Sequence, residues 1–192
     1  GLVKNSVMTL ETLSGIKTLN LTVEDGEVTA VQVDMGKPVL VPEEIPVKLS
    51  GEKAINVEHM LAGQMRRFSC VSMGNPHCVL FTENIDALDL EKIGPAYEND
   101  PLFPERVNTE FVEVIDDHTL KMRVWERGSG ETLACGTGAC ATTVAAVLCG
   151  HCKMNTDITL KLRGGDLTIR YTGETVLMTG PAAVAFEGEI CL

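Results

Sequence analysis

The residues most able to do chemistry lie in residues 126–140, where a cysteine stands among small residues directly ahead of an apolar stretch. Cys135 is followed by Gly-Thr-Gly, and residues 141–148 carry no charged side chain. Such a stretch predicts a helix that is buried on all sides, and unpaired backbone N–H groups converge at the N-terminus of a helix. That position favours a thiolate and also binds carboxylate groups. We therefore interpret Cys135 as a reactive thiol beside an anion-binding cradle.

A cysteine whose pKa lies near neutrality removes a weakly acidic proton as thiolate and returns one as thiol. Free cysteine titrates near ~8.5, and a helix N-terminus can lower that pKa by one to several units. We therefore expect a lowered pKa for Cys135. The flanking glycines remove steric bulk where a ligand approaches backbone N–H groups. The competing interpretation, in which Cys135 is only a small buried hydrophobic residue, requires no such glycines.

Polar residues in two other segments are candidates to assist the cysteine. Glu126 and Arg127 enter a glycine-rich loop, where the arginine can bind a second carboxylate in bidentate fashion. Asn75 and His77 belong to a Gly-Asn-Pro-His turn, and Asn108 directly precedes a predicted strand. The amides offer both donors and acceptors. The histidine is either a satisfied turn residue or a group that tunes the proton affinity of the cysteine.

We expect no metal centre in this chain. Cys149 and Cys152 form a lone CxxC pair at the end of the apolar stretch. A structural zinc site needs further ligands at matched spacing, and redox CxxC pairs lie at helix N-termini instead. Gly150, as a helix terminator, explains the segment.

The composition limits the classes of partner. The chain has 192 residues and a formal net charge of −11, which argues against nucleic acid because phosphate binding needs a basic surface. A small anionic substrate remains compatible, since local N–H donors outweigh distant, screened charges. The longest apolar run is too short to span a bilayer, so no membrane partner is expected. Seven irregularly spaced cysteines predict free thiols and a cytoplasmic location.

Alternating polar and apolar residues predict many short antiparallel strands. The expected hairpins are residues 16–34, 110–124 and 157–171. The further expected strands are residues 70–73, 78–82, 175–178 and 182–187. A helix over residues 86–99 is expected to be interrupted at Gly94-Pro95. Short strands around one all-apolar helix predict an α+β fold, in which a strongly curved antiparallel sheet, or barrel, wraps that helix.

Three motifs in this order resemble the diaminopimelate epimerase family. They are residues 71–78 (VSMGNPHC), residues 106–108 (RVN) and residues 126–140 (ERGSGETLACGTGAC), and Thr-Gly-Pro-Ala at residues 179–182 also fits. The resemblance implies a cofactor-independent isomerase that interconverts LL- and meso-2,6-diaminopimelate with two cysteines as acid and base, on the route to lysine and peptidoglycan. It also implies two pseudo-symmetric domains, of which this chain carries the second.

The same resemblance implies roles for individual residues. Cys135 is one of the two bases, and Gly136 and Thr137 offer N–H groups to the reacting α-carboxylate. His77 and Glu126 are similar to positions that modulate the cysteines. The residues implied to hold the distal end of diaminopimelate are Asn75, Asn108, Arg127 and Glu126.

The sequence departs from the family pattern in one respect. The family carries an N-terminal half with an Asn-x-Cys-Gly-Asn-Gly motif, and no cysteine here is followed by Gly-Asn-Gly. We therefore expect residues 1–36, with a C-terminal strand at residues 183–192, to be a remnant of the first domain. Residues 37–182 are expected to be the intact second domain, with a central helix at about 138–149. The isolated chain is predicted to be inactive or nearly so, and its exposed edges favour association, for example as a homodimer.

Two other interpretations stay open at this point. One is a related racemase of the proline or hydroxyproline type, which shares the Cys-Gly-Thr-Gly element but has no use for Arg127. The other is a non-catalytic ligand-binding fragment that keeps the cradle and lacks the second base.

Overall fold

The computed structural model describes residues 5–12 and 15–190, so the expectations for residues 1–4 and 191–192 lie outside the described residues. Within these residues the chain forms twelve strands and two α-helices. The strands are β1 (Val7–Thr12), β2 (Gly15–Glu24), β3 (Glu27–Gly36), β4 (Val57–Leu61), β5 (Gln64–Ser72), β6 (Pro76–Phe81), β7 (Asn108–Val114), β8 (Thr119–Glu126), β9 (Gly130–Thr132), β10 (Ile158–Leu162), β11 (Gly165–Tyr171) and β12 (Val176–Pro181). The helices are α1 (Leu90–Glu98) and α2 (Gly136–Leu148).

All twelve strands belong to one sheet. Its order is β1-β2-β3-β12-β11-β10-β8-β7-β6-β5-β4, with β9 paired to β8 outside this path. The pairs β6–β7 and β8–β10 are parallel, whereas the other pairings are antiparallel. The expected α+β fold is confirmed, but the sheet is mixed rather than wholly antiparallel. It is also not closed, because β1 and β4 lie at its two ends.

Helix α2 lies at the centre of the main core, as the all-apolar stretch predicts. Residues 138–146 of this helix are all buried. The helix contacts β5, β6 and β7 in one part of the sheet and β11 and β12 in another. Its two central threonines are satisfied within the protein, since Thr142 donates to the Met122 sulfur at 3.2 Å and Thr143 to the Ala139 carbonyl at 3.1 Å. A helix surrounded in this way holds its N-terminus at a fixed position relative to the strand ends.

The helix expected at about residues 138–149 is α2, Gly136–Leu148, which the Cys135 side chain caps. One expected element is absent from the described residues. Residues 182–190 form neither helix nor strand, although a C-terminal strand was expected there. The segment follows directly on β12, whose two neighbours β3 and β11 are already paired to it, and it does not reach either edge strand, β1 or β4. Val184 and Phe186 are accordingly 81% and 87% exposed.

A second cluster packs on the other face of the sheet, around α1. Gly94 and Pro95 lie inside this helix instead of interrupting it. A β-carbon at Gly94 would approach Trp125 Cδ2 to 2.2 Å, so only glycine allows the indole ring to pack flat on the helix backbone. Helix α1 is therefore fixed directly behind the loop that follows β8. No helix in the described ranges is both long and apolar enough to cross a membrane.

Candidate active site

Cys135 is the N-cap residue of α2, where the sequence predicts a reactive thiol. Its backbone is extended, with φ −134° and ψ 108°. The sulfur accepts the Gly138 N–H at 3.3 Å and lies 3.5 Å from the Thr137 hydroxyl oxygen. The residue is 7% exposed. The sulfur thus occupies the place that Ser or Asp oxygens take at most helix N-termini.

Burial is the largest cause of the rise in the pKa of the Cys135 thiol to about 11, and the next is negative charge on Glu110 where that carboxyl is ionised. The hydrogen bonds from Thr137 and Gly138 lower the pKa by less than burial raises it. The expectation of a lowered pKa is therefore wrong for this structure. The reason is that the helix places the sulfur in the main apolar core, where a thiolate loses most of its hydration.

The first turn of α2 presents the backbone N–H groups that the sequence predicts as an anion cradle. Gly136 and Thr137 are half-buried, and N–H groups in a first helical turn have no intrahelical carbonyl to bond. The positive end of the helix dipole adds to their attraction for a carboxylate. A β-carbon at Gly136 would lie 3.1 Å from the Met178 sulfur. A side chain at this position would therefore press on the Met178 side chain.

Asn75 and His77 lie next to this first turn of α2. His77 is on β6, and Asn75 immediately precedes that strand. The Asn75 amide donates to the Thr137 hydroxyl at 3.3 Å, and its carbonyl oxygen lies 3.0 Å from His77 Nε2. His77 is fully buried on a strand rather than exposed in a turn. Its Nδ1 lies 2.6 Å from Glu110 Oε1 on β7. Both residues thus reach the cysteine through one chain of hydrogen bonds.

Asn108 and Arg127 also meet, but the amide is largely used within the protein. Asn108 donates to the Pro76 carbonyl at 2.9 Å and accepts the backbone N–H of Arg127 at 3.0 Å. The Arg127 guanidinium donates to the Glu105 carbonyl at 2.9 Å and is half-buried. In this arrangement Asn108 orients the backbone of the arginine as much as it offers a donor to a ligand.

Glu126 approaches the cysteine from β8. Its carboxylate accepts a hydrogen bond from the Thr132 hydroxyl, three residues before Cys135. Its negative charge contributes to the raised pKa values of both Cys135 and Glu110. Glu126 is therefore in electrostatic contact with the site without bonding the sulfur itself.

Glu110 is a site residue that no motif or spacing in the sequence singles out. It is fully buried on β7, and burial raises the pKa of its carboxyl while the contact with His77 opposes that rise. In the sequence it stands at the start of an alternating strand, where a glutamate normally faces solvent. A β-carbon at Gly138 would come within 2.7 Å of Glu110 Oε1 and 3.2 Å of the Cys135 sulfur. Gly138, one of the glycines that flank Cys135, thus also leaves space for the neighbouring Glu110 carboxyl.

One set of metal-type ligands exists within residues 5–12 and 15–190. His77, Glu110 and Cys135 each place a ligand atom within 4.8 Å of the others. The histidine and the carboxyl, however, bond each other directly at 2.6 Å, which leaves no room for an ion between those two atoms. The chemistry these three groups support without an ion is proton transfer.

Comparison of the sequence with known proteins gives the following matches. The family model described as diaminopimelate epimerase matches residues 69–185. The diaminopimelate epimerase of Acetivibrio thermocellus is 54% identical over 194 residues, covering 100% of this chain and 69% of that protein. The diaminopimelate epimerase of Methanococcus maripaludis is 53% identical over 187 residues, covering 96% of this chain and 67% of that protein. The chain thus spans about two thirds of the length of these relatives.

Solved structures agree on the fold. A hydroxyproline epimerase from Agrobacterium vitis superposes with a TM-score of 0.63 at 14% identity, covering 94% of this chain and 59% of that one. A phenazine biosynthesis protein of the PhzF family from Enterococcus faecalis gives 0.57 at 17% identity, covering 99% and 66%. At such identities the likeness establishes the architecture alone.

Proposed function

Because the chain belongs to the diaminopimelate epimerase family, we propose that it forms one wall of a cofactor-independent active site that interconverts LL- and meso-2,6-diaminopimelate. The observation that carries the proposal is the position of Cys135. Its sulfur caps α2 at 3.3 Å from the Gly138 N–H, beside the first-turn amides of Gly136 and Thr137. An acid–base group and an anion cradle therefore share one helix end.

The cradle stabilises the species that the reaction must pass through. An amino acid α-proton is very weakly acidic, and its removal places negative charge on the α-carbon and carboxylate. The α-carboxylate bound at Gly136 and Thr137 would meet N–H donors and the positive end of the α2 dipole as that charge develops. These donors are held in place before the reaction by a helix buried on all sides, so they need not reorganise.

The raised pKa of Cys135 suits this chemistry in a specific way. At neutral pH a thiol with a pKa of about 11 is protonated, so Cys135 is ready to donate a proton. When it acts in reverse as thiolate, its high proton affinity makes it a stronger base. The α-ammonium group of the substrate would favour that thiolate by Coulomb attraction. Epimerisation runs in two directions. We assign Cys135 as the proton donor in the direction in which the opposing base removes the α-proton.

The opposing base is proposed to lie outside these 192 residues. A racemisation needs groups on both faces of the α-carbon, since one base returns the proton mostly to the face it left. Cys140 is fully buried within α2 itself and out of reach of a substrate. The domain arrangement expected from the family, with residues 37–182 as the second domain and residues 1–36 as part of the first, stays a prediction. So do the cytoplasmic location and the homodimer.

The substrate class is tested through Arg127. Its guanidinium is proposed to bind the distal carboxylate of diaminopimelate, together with the amide of Asn75 and with Asn108 and Glu126 in support. Arg127→Lys keeps the charge but removes the planar fork. In the complete enzyme we expect a KM for diaminopimelate raised about tenfold or more, equivalent to roughly 1.4 kcal/mol. A proline-type racemase would be indifferent to this change, and proline turnover by the native enzyme would contradict the assignment.

The catalytic assignment is tested by α-hydrogen exchange in D2O. Cys135→Ser in the complete enzyme should lower exchange and epimerisation by at least about 100-fold, the lower range of what general acid–base groups contribute. The matched control is Cys149→Ala at the C-cap of the same helix, about 20 Å away for a helix of this length. Equal loss in the control would contradict a specific role for Cys135.

Experiments on the isolated chain test whether proton removal and proton return are divided between two cysteines. The 192-residue chain should neither epimerise diaminopimelate nor exchange its α-hydrogen well, but diaminopimelate should protect Cys135 from alkylation. Full turnover by the isolated chain would contradict the two-walled site. Absence of protection would instead favour a fragment that does not bind the substrate.

A further inference from the structure

Glu110 is a buried carboxyl with half of its hydrogen-bonding capacity unused. It is fully buried, and its Oε1 lies 2.6 Å from His77 Nδ1. Its Oε2 has no hydrogen-bond partner among the residues that the structure describes. A bare carboxylate in such a place is costly unless it is paired and hydrogen-bonded. The protonation states of Glu110 and His77 are therefore coupled.

The hydrogen bonds around His77 fix where its protons are. Asn75 donates through its amide nitrogen to the Thr137 hydroxyl, which turns the Asn75 carbonyl oxygen toward His77 Nε2 at 3.0 Å. A carbonyl oxygen only accepts, so Nε2 carries a hydrogen. An ionised carboxylate also only accepts, so the 2.6 Å contact on the other side needs a second hydrogen between Nδ1 and Oε1. That hydrogen belongs either to an imidazolium beside a carboxylate or to a carboxylic acid beside a neutral imidazole.

Both assignments have the same consequence. The His77–Glu110 pair holds one proton between its members and carries no net charge. The ionisable neighbours of the pair are Cys135 at the start of α2, Glu126 on β8 and the buried thiol of Cys78 on β6. When the pair is neutral, Glu110 adds no second anion to that of Glu126 beside the thiolate of Cys135.

We propose that Glu110 is a positioning residue of this site, which shares one proton with His77 and thereby fixes His77 with its Nε2–H on Asn75. Asn75 in turn holds the Thr137 hydroxyl 3.5 Å from the Cys135 sulfur. Glu110 touches neither the substrate nor the reacting atoms in this scheme. It acts through His77 and Asn75, and Gly138 is the residue whose missing side chain leaves it room. The inference rests on the proposed epimerase function in one respect, namely that Cys135 is the catalytic thiol near which Glu110 acts.

The first test is a nitrogen NMR spectrum of the 192-residue chain with labelled histidine. The wild type should show His77 Nε2 bonded to hydrogen between pH 6 and 8, with a strongly deshielded hydrogen on the Glu110 side. Glu110→Gln should lose that deshielded hydrogen, because a carboxamide is not acidic and cannot share a proton with the imidazole. Glu113→Gln, a matched change on the same strand at a half-buried position, should leave it in place. A wild-type His77 without hydrogen on Nε2 overturns the proposal even if the variant fails to fold.

The second test measures the alkylation rate of Cys135 near neutral pH. In Glu110→Gln a neutral amide takes the place of a carboxyl that belongs to a neutral pair. The alkylation rate of Cys135 should therefore change by no more than about twofold. If Glu110 were instead an unshared carboxylate, its removal should increase the rate by about tenfold for each unit by which the pKa of Cys135 falls, and that result contradicts the proposal. Neither test involves turnover. Failure of the epimerase assignment is therefore distinguishable from failure of this inference.

Discussion

The carboxylate of Glu98 accepts a 2.8 Å hydrogen bond from the indole N–H of Trp125. The same carboxylate accepts the backbone N–H of Gly128 at 2.9 Å and the guanidinium of Arg106 at 2.9 Å. Glu98 is 7% exposed. This group thus ties helix α1 to both ends of the segment that carries Glu126 and Arg127. The loop that is proposed to hold the distal end of the substrate is anchored from behind.

Removing this anchor should loosen the loop and the fold together. Glu98→Gln keeps the shape but replaces a charged acceptor, and hydrogen bonds to charged groups contribute about 1.5–3 kcal/mol each. We expect the free energy of unfolding in urea to fall by at least that amount and, in the complete enzyme, KM to rise more than kcat falls. Glu91→Gln on the exposed side of the same helix is the control. A variant with unchanged stability would show that Glu98 does not anchor the loop.

Gly94 should tolerate no side chain. A β-carbon there would lie 2.2 Å from Trp125 Cδ2, so the ring must move. Overpacking of this kind costs about 1–3 kcal/mol. Since the chain has one tryptophan, its fluorescence reports the displacement directly. We expect Gly94→Ala to shift the emission and lower the melting temperature. Gly188→Ala, whose added β-carbon would have no contact within 4 Å among the described residues, should do neither. An unshifted Gly94 variant would contradict the packing described for α1.

The raised pKa of Cys135 predicts how its reactivity depends on pH. Alkylation follows the thiolate, so its rate should rise about tenfold per pH unit and level off only near pH 11. The folded-state pKa lies above the ordinary 9.0. The stability that burial of the thiol contributes is therefore complete below pH 9 and is lost as pH rises toward 11. A mass-spectrometric rate profile checks this, with the urea-unfolded chain as reference. A plateau near pH 8 would contradict the burial of the sulfur.

Glu131 should contribute more to the free energy of unfolding than most charged residues do. It accepts two hydrogen bonds from Arg123, at 2.8 and 3.0 Å, and its side chain is 10% exposed. These contacts lower its pKa, so its contribution to stability is present near neutrality and is lost as pH falls through that lowered value. Glu131→Gln should lower the free energy of unfolding at pH 7 by roughly 1.5–3 kcal/mol.

The matched comparison for Glu131 is the exposed pair of Asp157 and Arg170. Such pairs are screened by solvent, so Asp157→Asn should have a much smaller effect in the same urea titration. Similar losses in the two variants would mean that burial does not distinguish the two ion pairs.

The sequence predicted those parts of the structure that local patterns encode. The apolar stretch predicted a fully buried helix, and the small residues around Cys135 placed a thiol at its N-terminus. Contacts between residues that are far apart in the sequence have no comparable local pattern. The parallel pairing of β6 with β7 joins residues about 30 apart, and no turn signal marks it. Glu98 and Glu110 were missed because a glutamate in an amphipathic pattern reads as solvent-exposed until the element that covers it is known.

The direction of the pKa shift at Cys135 shows the same limit. Helix position can be predicted from the sequence, and it favours the thiolate. Desolvation depends on which strands close around the helix end, and it favours the thiol. The second effect is larger here, and it could not be evaluated before the core was seen.

The pairing of β3 with β12 sets an order of events during synthesis. Gly36 is bonded opposite Val176 and Ala30 opposite Pro181, so the early strand waits for some 140 further residues before its partner leaves the ribosome. Contacts of such long range slow folding and leave a strand edge open in the meantime. The nascent chain therefore passes through a period in which β3 is exposed to other chains. A chaperone that shields this edge until β12 is made should raise the soluble yield.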